Sequence, residues 1–372
     1  MRKMDYYRQL VDRFLSREAS LDEVEVFQYL LNKGKLDKTL REATMGDEEI
    51  VEAKHEHAIL MFRALRRYSV AAAIIGMVGI GIFLAARHDW GAKRRTTASV
   101  NEFNNDVTPG GNHATLTLAN GSHIRLDSLG RGSLLHQGGV RLIKVDSGNL
   151  TYKAFANDRD AISFNTLATP AGGQYQVTLA DGTRVWLNAL SSIKFPTSFR
   201  GATRSVELTG EAYFDVARDK YRPFHVEVNG VDVEVLGTEF NVNAYTDEPS
   251  VSTTLVEGSV KLVKANAALV LMPGEEGQTT GASAFALEKN VNLDRVLAWK
   301  NGFFSFQGAD IRTIMRQISR WYNVEVRYEG EPNTEHFSGQ IGRDLNLTEV
   351  LTGLSKSGLH FKVDGNVLTV LR

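Results

Sequence analysis

FHVEVNGVDVEVLG, residues 224–237, alternates apolar and polar side chains on both sides of an Asn-Gly pair. Val226 and Val228 share one face, and Val231, Val233 and Val235 resume the alternation beyond the turn. A period of two places these residues on strands with one face buried. Asn229-Gly230 favours the positive φ angles of a type I′ turn, whose twist matches the strands it joins. Asn120-Gly121 and Asp181-Gly182 repeat the signal, and no helix-length periodic segment interrupts residues 110–290. That region is expected to be all-β, either solenoid-like or a sandwich.

An internal echo supports hairpins as its unit. ATLTLANGSHIRL (114–126) superposes on YQVTLADGTRVWL (175–187) at an offset of 61 residues. Thr117/Thr178, Leu118/Leu179, Ala119/Ala180 and Gly121/Gly182 are identical pairs. TTLVEGSVKLV (253–263) is a weaker hairpin of the same kind. Similar hairpins in succession favour a solenoid-like layer.

Downstream the period changes. FFSF (303–306) reads as a strand, and Ile311, Ile314, Met315 and Ile318 mark a helix that closes near Trp321 and Tyr322. VEVRY (324–328) and HFSGQI (336–341) are strands. Asn346 with Glu349 has the spacing of a capping box, and Gly358 is placed as a C-cap. HFKVDGNVLTVL (360–371) closes the chain as a hairpin. The order βαββαββ defines a small α+β module over 296–372.

Upstream, the 19 residues from Tyr68 to Ala86 carry no charge and are bounded by Arg66, Arg67 and Arg87. As a helix they would extend ~28 Å, enough to cross a ~30 Å hydrocarbon layer. Residues 68–87 are therefore expected to span a membrane. Four cations precede the run (Lys54, Arg63, Arg66, Arg67) and four follow it (Arg87, Lys93, Arg94, Arg95), so charge leaves the orientation open. Residues 1–67 form a small all-α domain on the pattern. Tyr7, Leu10, Val11 and Phe14 fall on one helical face, and Ser20 with Glu23 precedes Val24 and Phe27 at capping-box spacing. Residues 88–109 read as a linker.

Composition excludes more than it selects. The chain has 43 Lys and Arg against 44 Asp and Glu, and no cysteine, which removes disulfides and thiolate chemistry. Residues 1–67 hold 13 basic and 13 acidic side chains, too neutral for a DNA-binding domain. His55 and His57 would diverge around a helix, and His113, His123 and His136 lack metal-ligand spacing. No P-loop, strand-linked GxGxxG or GxSxG is present. Alternation makes Glu207, Glu211, Asp215 and Glu227 solvent-facing strand residues. Trp186, Phe195, Phe199, Tyr213 and Phe214 fit a core better than a carbohydrate platform. No enzymatic activity, metal or cofactor is expected.

Three segments carry a resemblance: TPAGGQYQVTLADGTRVWLNALSSIKFPTSF (169–199), RSVELTGEAYFDVARDKYRPFHVEVNGVDVEVLGTEFNVNAY (204–245) and TTLVEGSVKL (253–262). They resemble the FecR family of membrane-anchored anti-sigma factors, in its Bacteroidetes type. AWKNGFFSF (298–306), IMRQISRWYNVEVRYEG (314–330) and FSGQIGRDLNLTEVL (337–351) resemble the closing domain of that type, itself similar to the STN fold. RFLSREASLDEVEVFQYLL (13–31) resembles the cytoplasmic domain of the family. Ala171 and Ala309-Asp310 depart from the family pattern.

The resemblance implies a single-pass inner-membrane protein with its N-terminus in the cytoplasm and its C-terminus in the periplasm. Residues 1–67 would bind an extracytoplasmic-function sigma factor, with Tyr7, Leu10, Phe14, Val24 and Phe27 as contact candidates. The C-terminal module would meet the N-terminal signalling domain of a TonB-dependent outer-membrane receptor through a surface or sheet edge. Trp321, Tyr322 and Phe337 are its candidates, although the first two also suit a core. Regulated-proteolysis proteases are implied as further partners, and direct nucleic-acid contact is not. The alternative is a membrane-anchored periplasmic glycan-binding protein.

Overall fold

A computed structural model describes residues 102–137, 140–154, 162–279, 284–330 and 335–371. The expected helical domain 1–67, the apolar run 68–86 and the linker as far as 101 lie outside the described residues, as do Tyr7, Leu10, Phe14, Val24 and Phe27. Among the described residues no helix is long and apolar enough to cross a membrane.

In chain order the first strands are β1 (Glu102–Phe103), β2 (Thr115–Thr117), β3 (His123–Arg125), β4 (Leu134–Gln137), β5 (Val140–Asp146) and β6 (Asn149–Ala154). Next come β7 (Phe164–Ala168), β8 (Tyr175–Thr178), β9 (Arg184–Leu187), β10 (Ser192–Pro196), β11 (Arg204–Asp215) and β12 (Phe224–Val228). The β region closes with β13 (Val231–Val235), β14 (Glu239–Ala244), β15 (Ser252–Glu257), β16 (Val260–Lys264), β17 (Ala267–Leu271), β18 (Glu276–Thr279) and β19 (Phe285–Glu288). The rest is α1 (Leu293–Leu297), β20 (Phe303–Ala309), α2 (Ile311–Tyr322), β21 (Glu325–Tyr328), β22 (Phe337–Gly342), α3 (Leu347–Ser355), β23 (His360–Asp364) and β24 (Val367–Leu371).

The β region is a two-layer sandwich. One sheet runs β3-β2-β7-β10-β11-β12-β13-β16-β17 and the other β4-β5-β6-β8-β9-β11-β14-β15-β18-β19. Strand β11 belongs to both: Thr209 pairs with Ser192 in the first sheet, and Gly210 pairs with Ala244 in the second. The crossing depends on Gly210, whose φ is 82° and whose added Cβ would lie 2.5 Å from Ser191 Oγ. Alternation then fills the space between the layers with Leu116, Phe195, Phe214, Phe224, Phe240 and their neighbours, all buried.

The echoed hairpins lie one in each sheet, β2–β3 in the first and β8–β9 in the second, so they are not successive rungs of one layer. Their turns are the same object. Leu118 N–H donates to Ser122 O and Leu179 N–H to Thr183 O, with Gly121 and Gly182 at φ 82° and 90°. Only Asn229-Gly230 has both φ angles positive, as a two-residue type I′ turn requires.

The α+β module carries a second apolar cluster, including Ile314, Met315, Ile318, Leu351 and Phe361. Asp310, where the family pattern differs, caps α2 by accepting from Thr313 N–H at 2.7 Å. Glu349 accepts from Asn346 N–H at 2.9 Å at the start of α3.

The linker reading is corrected from Glu102 onward. β1 runs parallel to β23, with Glu102 opposite Lys362 and Phe103 opposite Val363. Asn105 bonds Gly365 through both side-chain atoms, at 3.0 and 2.8 Å. Asp106 accepts from Thr348 N–H at 3.1 Å, and Leu347 N–H donates to Val107 O at 2.9 Å. The module is thus built from both ends of the described chain, and the sandwich is inserted between them. Two residues of strand are too few to show a period, which is why pattern reading passes over them.

Candidate functional site

On β11 and β14, Ala212, Phe214, Phe240 and Val242 turn into the sandwich, so Glu211, Tyr213, Asn241 and Asn243 point outward from the second sheet. The same alternation exposes Glu207 and Glu227 and leaves Asp215 half-buried. Glu211 departs from the expectation of a solvent-facing residue: it is 8% exposed. Its direction agrees with the pattern, but the α+β module covers that part of the sheet.

The cover is held by a closed hydrogen-bond circuit. Asn188 Nδ2 donates to Glu211 Oε2 at 2.8 Å, and Asn241 Nδ2 donates to Oε1 at 3.0 Å. From the module, Trp299 Nε1–H donates to Asn241 Oδ1 at 3.2 Å and Arg343 Nη2–H to Asn188 Oδ1 at 3.0 Å. Arg343 Nη1–H closes the ring by donating to Trp299 O at 2.9 Å. Each asparagine accepts on its oxygen and donates through its nitrogen, so both amide orientations are determined. Both carboxyl oxygens of Glu211 therefore accept a hydrogen bond.

Charge follows burial. Removal from water pushes the Glu211 carboxyl above its usual range, opposed by the bonds from Asn188 and Asn241 and by Arg320 and Arg343. Burial pushes Arg343 down to about 10, opposed by Tyr245 and Glu211, so it remains a cation at neutral pH. Its guanidinium lies 3.7 Å from the Trp321 ring centroid. A second set of contacts flanks the circuit. Arg320 pairs with Asp247 at 2.9 Å and Glu248 at 2.5 Å, and Arg316 reaches Glu248 at 2.7 Å. Lys300 Nζ sits 4.7 Å from the ring centroids of both Trp186 and Tyr213.

A third contact uses glycine. TPGG (108–111) and TPAGG (169–173) precede the two echoed hairpins, so the internal echo extends upstream of 114. The turns bond each other, Gly111 N–H to Gly172 O at 2.8 Å, and Gly172 N–H donates to Arg320 O at 2.8 Å. A Cβ on Gly110 would lie 2.4 Å from Gly172 O and 2.8 Å from Trp321 Cε3. The repeated Thr-Pro and Gly-Gly pairs are the sequence signal that could have located this junction.

The residues expected to meet a partner are placed elsewhere. Trp321, Tyr322 and Phe337 are buried in the module's own cluster, and none offers a free face. Trp321 Nε1–H donates to Arg343 O at 2.8 Å and Tyr322 Oη–H to Leu345 O at 2.6 Å. Among the aromatics, Phe195 and Phe214 are core and Phe199 packs against it, while Trp186 and Tyr213 lie under Lys300. The arrangement therefore holds two bodies together. It presents no nucleophile beside a base and no open carboxylate pair.

Two regions of this chain match known families. Residues 165–261 match the FecR protein family, and residues 303–370 match the FecR C-terminal family. Both regions are FecR-family domains. Two crystal structures of a Parabacteroides distasonis protein assigned as an anti-sigma factor are similar to it, each at 28% identity. One has a TM-score of 0.51 over 55% of this chain and 97% of its own, the other 0.52 over 56% and 99%. No protein of curated function matches. Within the FecR frame, Asn188, Glu211 and Asn241 lie in the first matched region, and Arg320 and Arg343 in the second. Trp299 stands in the connection between them.

Proposed function

We propose that this FecR-family chain is a membrane-anchored anti-sigma factor that relays a periplasmic signal to a cytoplasmic extracytoplasmic-function sigma factor. Residues 1–67 hold the sigma factor through Tyr7, Leu10, Phe14, Val24 and Phe27. Residues 68–87 cross the inner membrane, N-terminus inside, and the sandwich and STN-like module lie in the periplasm. The input is the signalling domain of a TonB-dependent receptor, and proteases complete the release. The protein works by binding rather than by catalysis.

One observation carries the reading: two FecR-matched regions share a buried polar junction built for contact, behind a 19-residue uncharged run. The neutral balance of residues 1–67 and the anti-sigma assignment of the similar crystal structures support it. Since Trp321, Tyr322 and Phe337 are buried, receptor docking falls to a sheet edge. β21 pairs with β24 on one side and with no strand on the other among the described residues, which suits strand addition.

The test is co-purification of extracytoplasmic-function sigma factors from the same genome with the full chain. Phe14→Ala and Tyr7→Ala, each a truncated aromatic anchor worth ~2 kcal/mol, should weaken capture about 30-fold apiece. Undiminished capture by both folded variants would remove this surface, and no capture by the parent chain would remove the reading.

A further inference from the structure

The polar junction has a second property, which does not depend on which partner the chain binds. The sandwich and the module each close an apolar cluster of their own, and Ala189 is the one residue of the sandwich in the module's cluster. What joins them is polar on both sides: Asn188, Glu211 and Asn241 against Trp299 and Arg343, and Asp247 with Glu248 against Arg316 and Arg320.

The two faces also fit incompletely. A cavity of about 150 Å³ is bounded by Glu211, Asn241, Asn243, Trp299 and Arg343. Another of about 250 Å³ lies beside Trp186, Trp299 and Lys300. Protein interiors close such gaps, whereas interfaces between domains of one chain are more polar and permit relative motion. Six buried side-chain atoms lack a hydrogen-bond partner among the described residues, and three of them, Asn243 Oδ1, Arg316 Nε and Arg343 Nε, belong to the junction. Each would gain water on separation, as would the carboxylate and guanidinium of the circuit, whose desolvation opposes docking. Neither body would lose its apolar core.

We propose that the α+β module swings off the second sheet as one body, leaving both bodies folded, so that the chain has a closed and an open form. Two connections, 107–112 and 289–292, join the bodies and hold the module nearby when the seam parts. The first contains Gly110 and Gly111, and both connections lie outside the strands and helices. The circuit of Arg343, Asn188, Glu211, Asn241 and Trp299 is the latch. It acts as a unit, because removing Arg343 takes the donors from Asn188 Oδ1 and Trp299 O and one of two cations from the field at buried Glu211, while the apolar clusters stay intact. A signal that favours the open form needs only to outweigh these polar contacts.

The absence of cysteine allows a direct measurement on the full chain. Thr209→Cys on the first sheet and Ser357→Cys after α3 are exposed and would carry spin labels. Electron–electron distance measurement on the labelled parent should give one short population. Arg343→Met should add a longer, broader population, raising the open fraction tenfold or more with unchanged far-ultraviolet circular dichroism. Glu211→Leu combined with Arg343→Met, which removes both charges, should return the short distance. Should Arg343→Met fail to fold, Arg316→Ala, at the half-exposed flank, decides the matter by the same shift. An unchanged distance in folded Arg343→Met, or in Arg316→Ala if that variant is needed, overturns the proposal.

Discussion

Glu211 shows how far a single side chain can be read from its neighbours. Alternation correctly directs it out of the sandwich, but direction and exposure separate when another part of the chain covers the sheet. Its burial has a pH consequence. A carboxyl raised in the folded state contributes stability that is fully present below its unfolded value, about 4.3, and is lost as pH rises through the raised value. Asp310, held low first by the N–H of Thr313, has the opposite sign: its contribution is present above the unfolded value and lost on acidification. Urea midpoints of the parent and of Glu211→Gln, compared between pH 4.5 and 8, separate the two. The parent should lose stability relative to the variant as pH rises, and a constant difference would mean that Glu211 titrates normally. Trp321, Tyr322 and Phe337 teach the complementary lesson. Large aromatics at the end of an amphipathic helix and on a half-buried strand are core, and a periodic pattern cannot distinguish a core from a contact.

At the scale of elements, local chemistry was legible and pairing over distance was not. The Asn346–Glu349 cap, the βαββαββ order and the Gly-containing hairpin turns follow from spacings of two to four residues. The echoed hairpins have the same turn bonds, yet their placement in opposite sheets depends on β11, which changes sheets at Gly210 and carries no signal beyond one glycine. β1 was illegible because a two-residue strand owes its existence to its partner. Replacing 102–107 with a Gly-Ser segment of equal length should test its worth. The loss of the Asn105 and Asp106 side-chain bonds to Gly365 and Thr348, at about 1 kcal/mol each, should destabilise the module by about 3 kcal/mol. Amide exchange should accelerate across His360–Asp364 while the sandwich keeps its protection. Equal protection in both chains would show that β1 rests on the module without supporting it.

For the whole molecule, the clearest prediction concerns insertion. Reporter fusions at residue 60 and residue 110 should be active in opposite compartments, with the first cytoplasmic; activity on one side only would make 68–86 a buried helix. The all-β class and the α+β closing module were within reach of patterning, because each rests on repeated local signals, whereas the echo favoured a solenoid-like layer over the sandwich that forms. The junction between them was not, because it joins Asn188, Arg343 and Trp299 across distances that no period reports.

The pairing of β1 with β23 also sets an order of events. Asn105 and Gly365 are 260 residues apart in the chain, and the ribosome makes the first long before the second. The sandwich can assemble while synthesis continues, but the module must wait for residues 360–364 before β1 has a strand to join. A truncated or stalled chain would therefore keep a complete sandwich beside an unfinished module. In a cell, that open seat is a mark by which quality control could tell an incomplete molecule from a finished one.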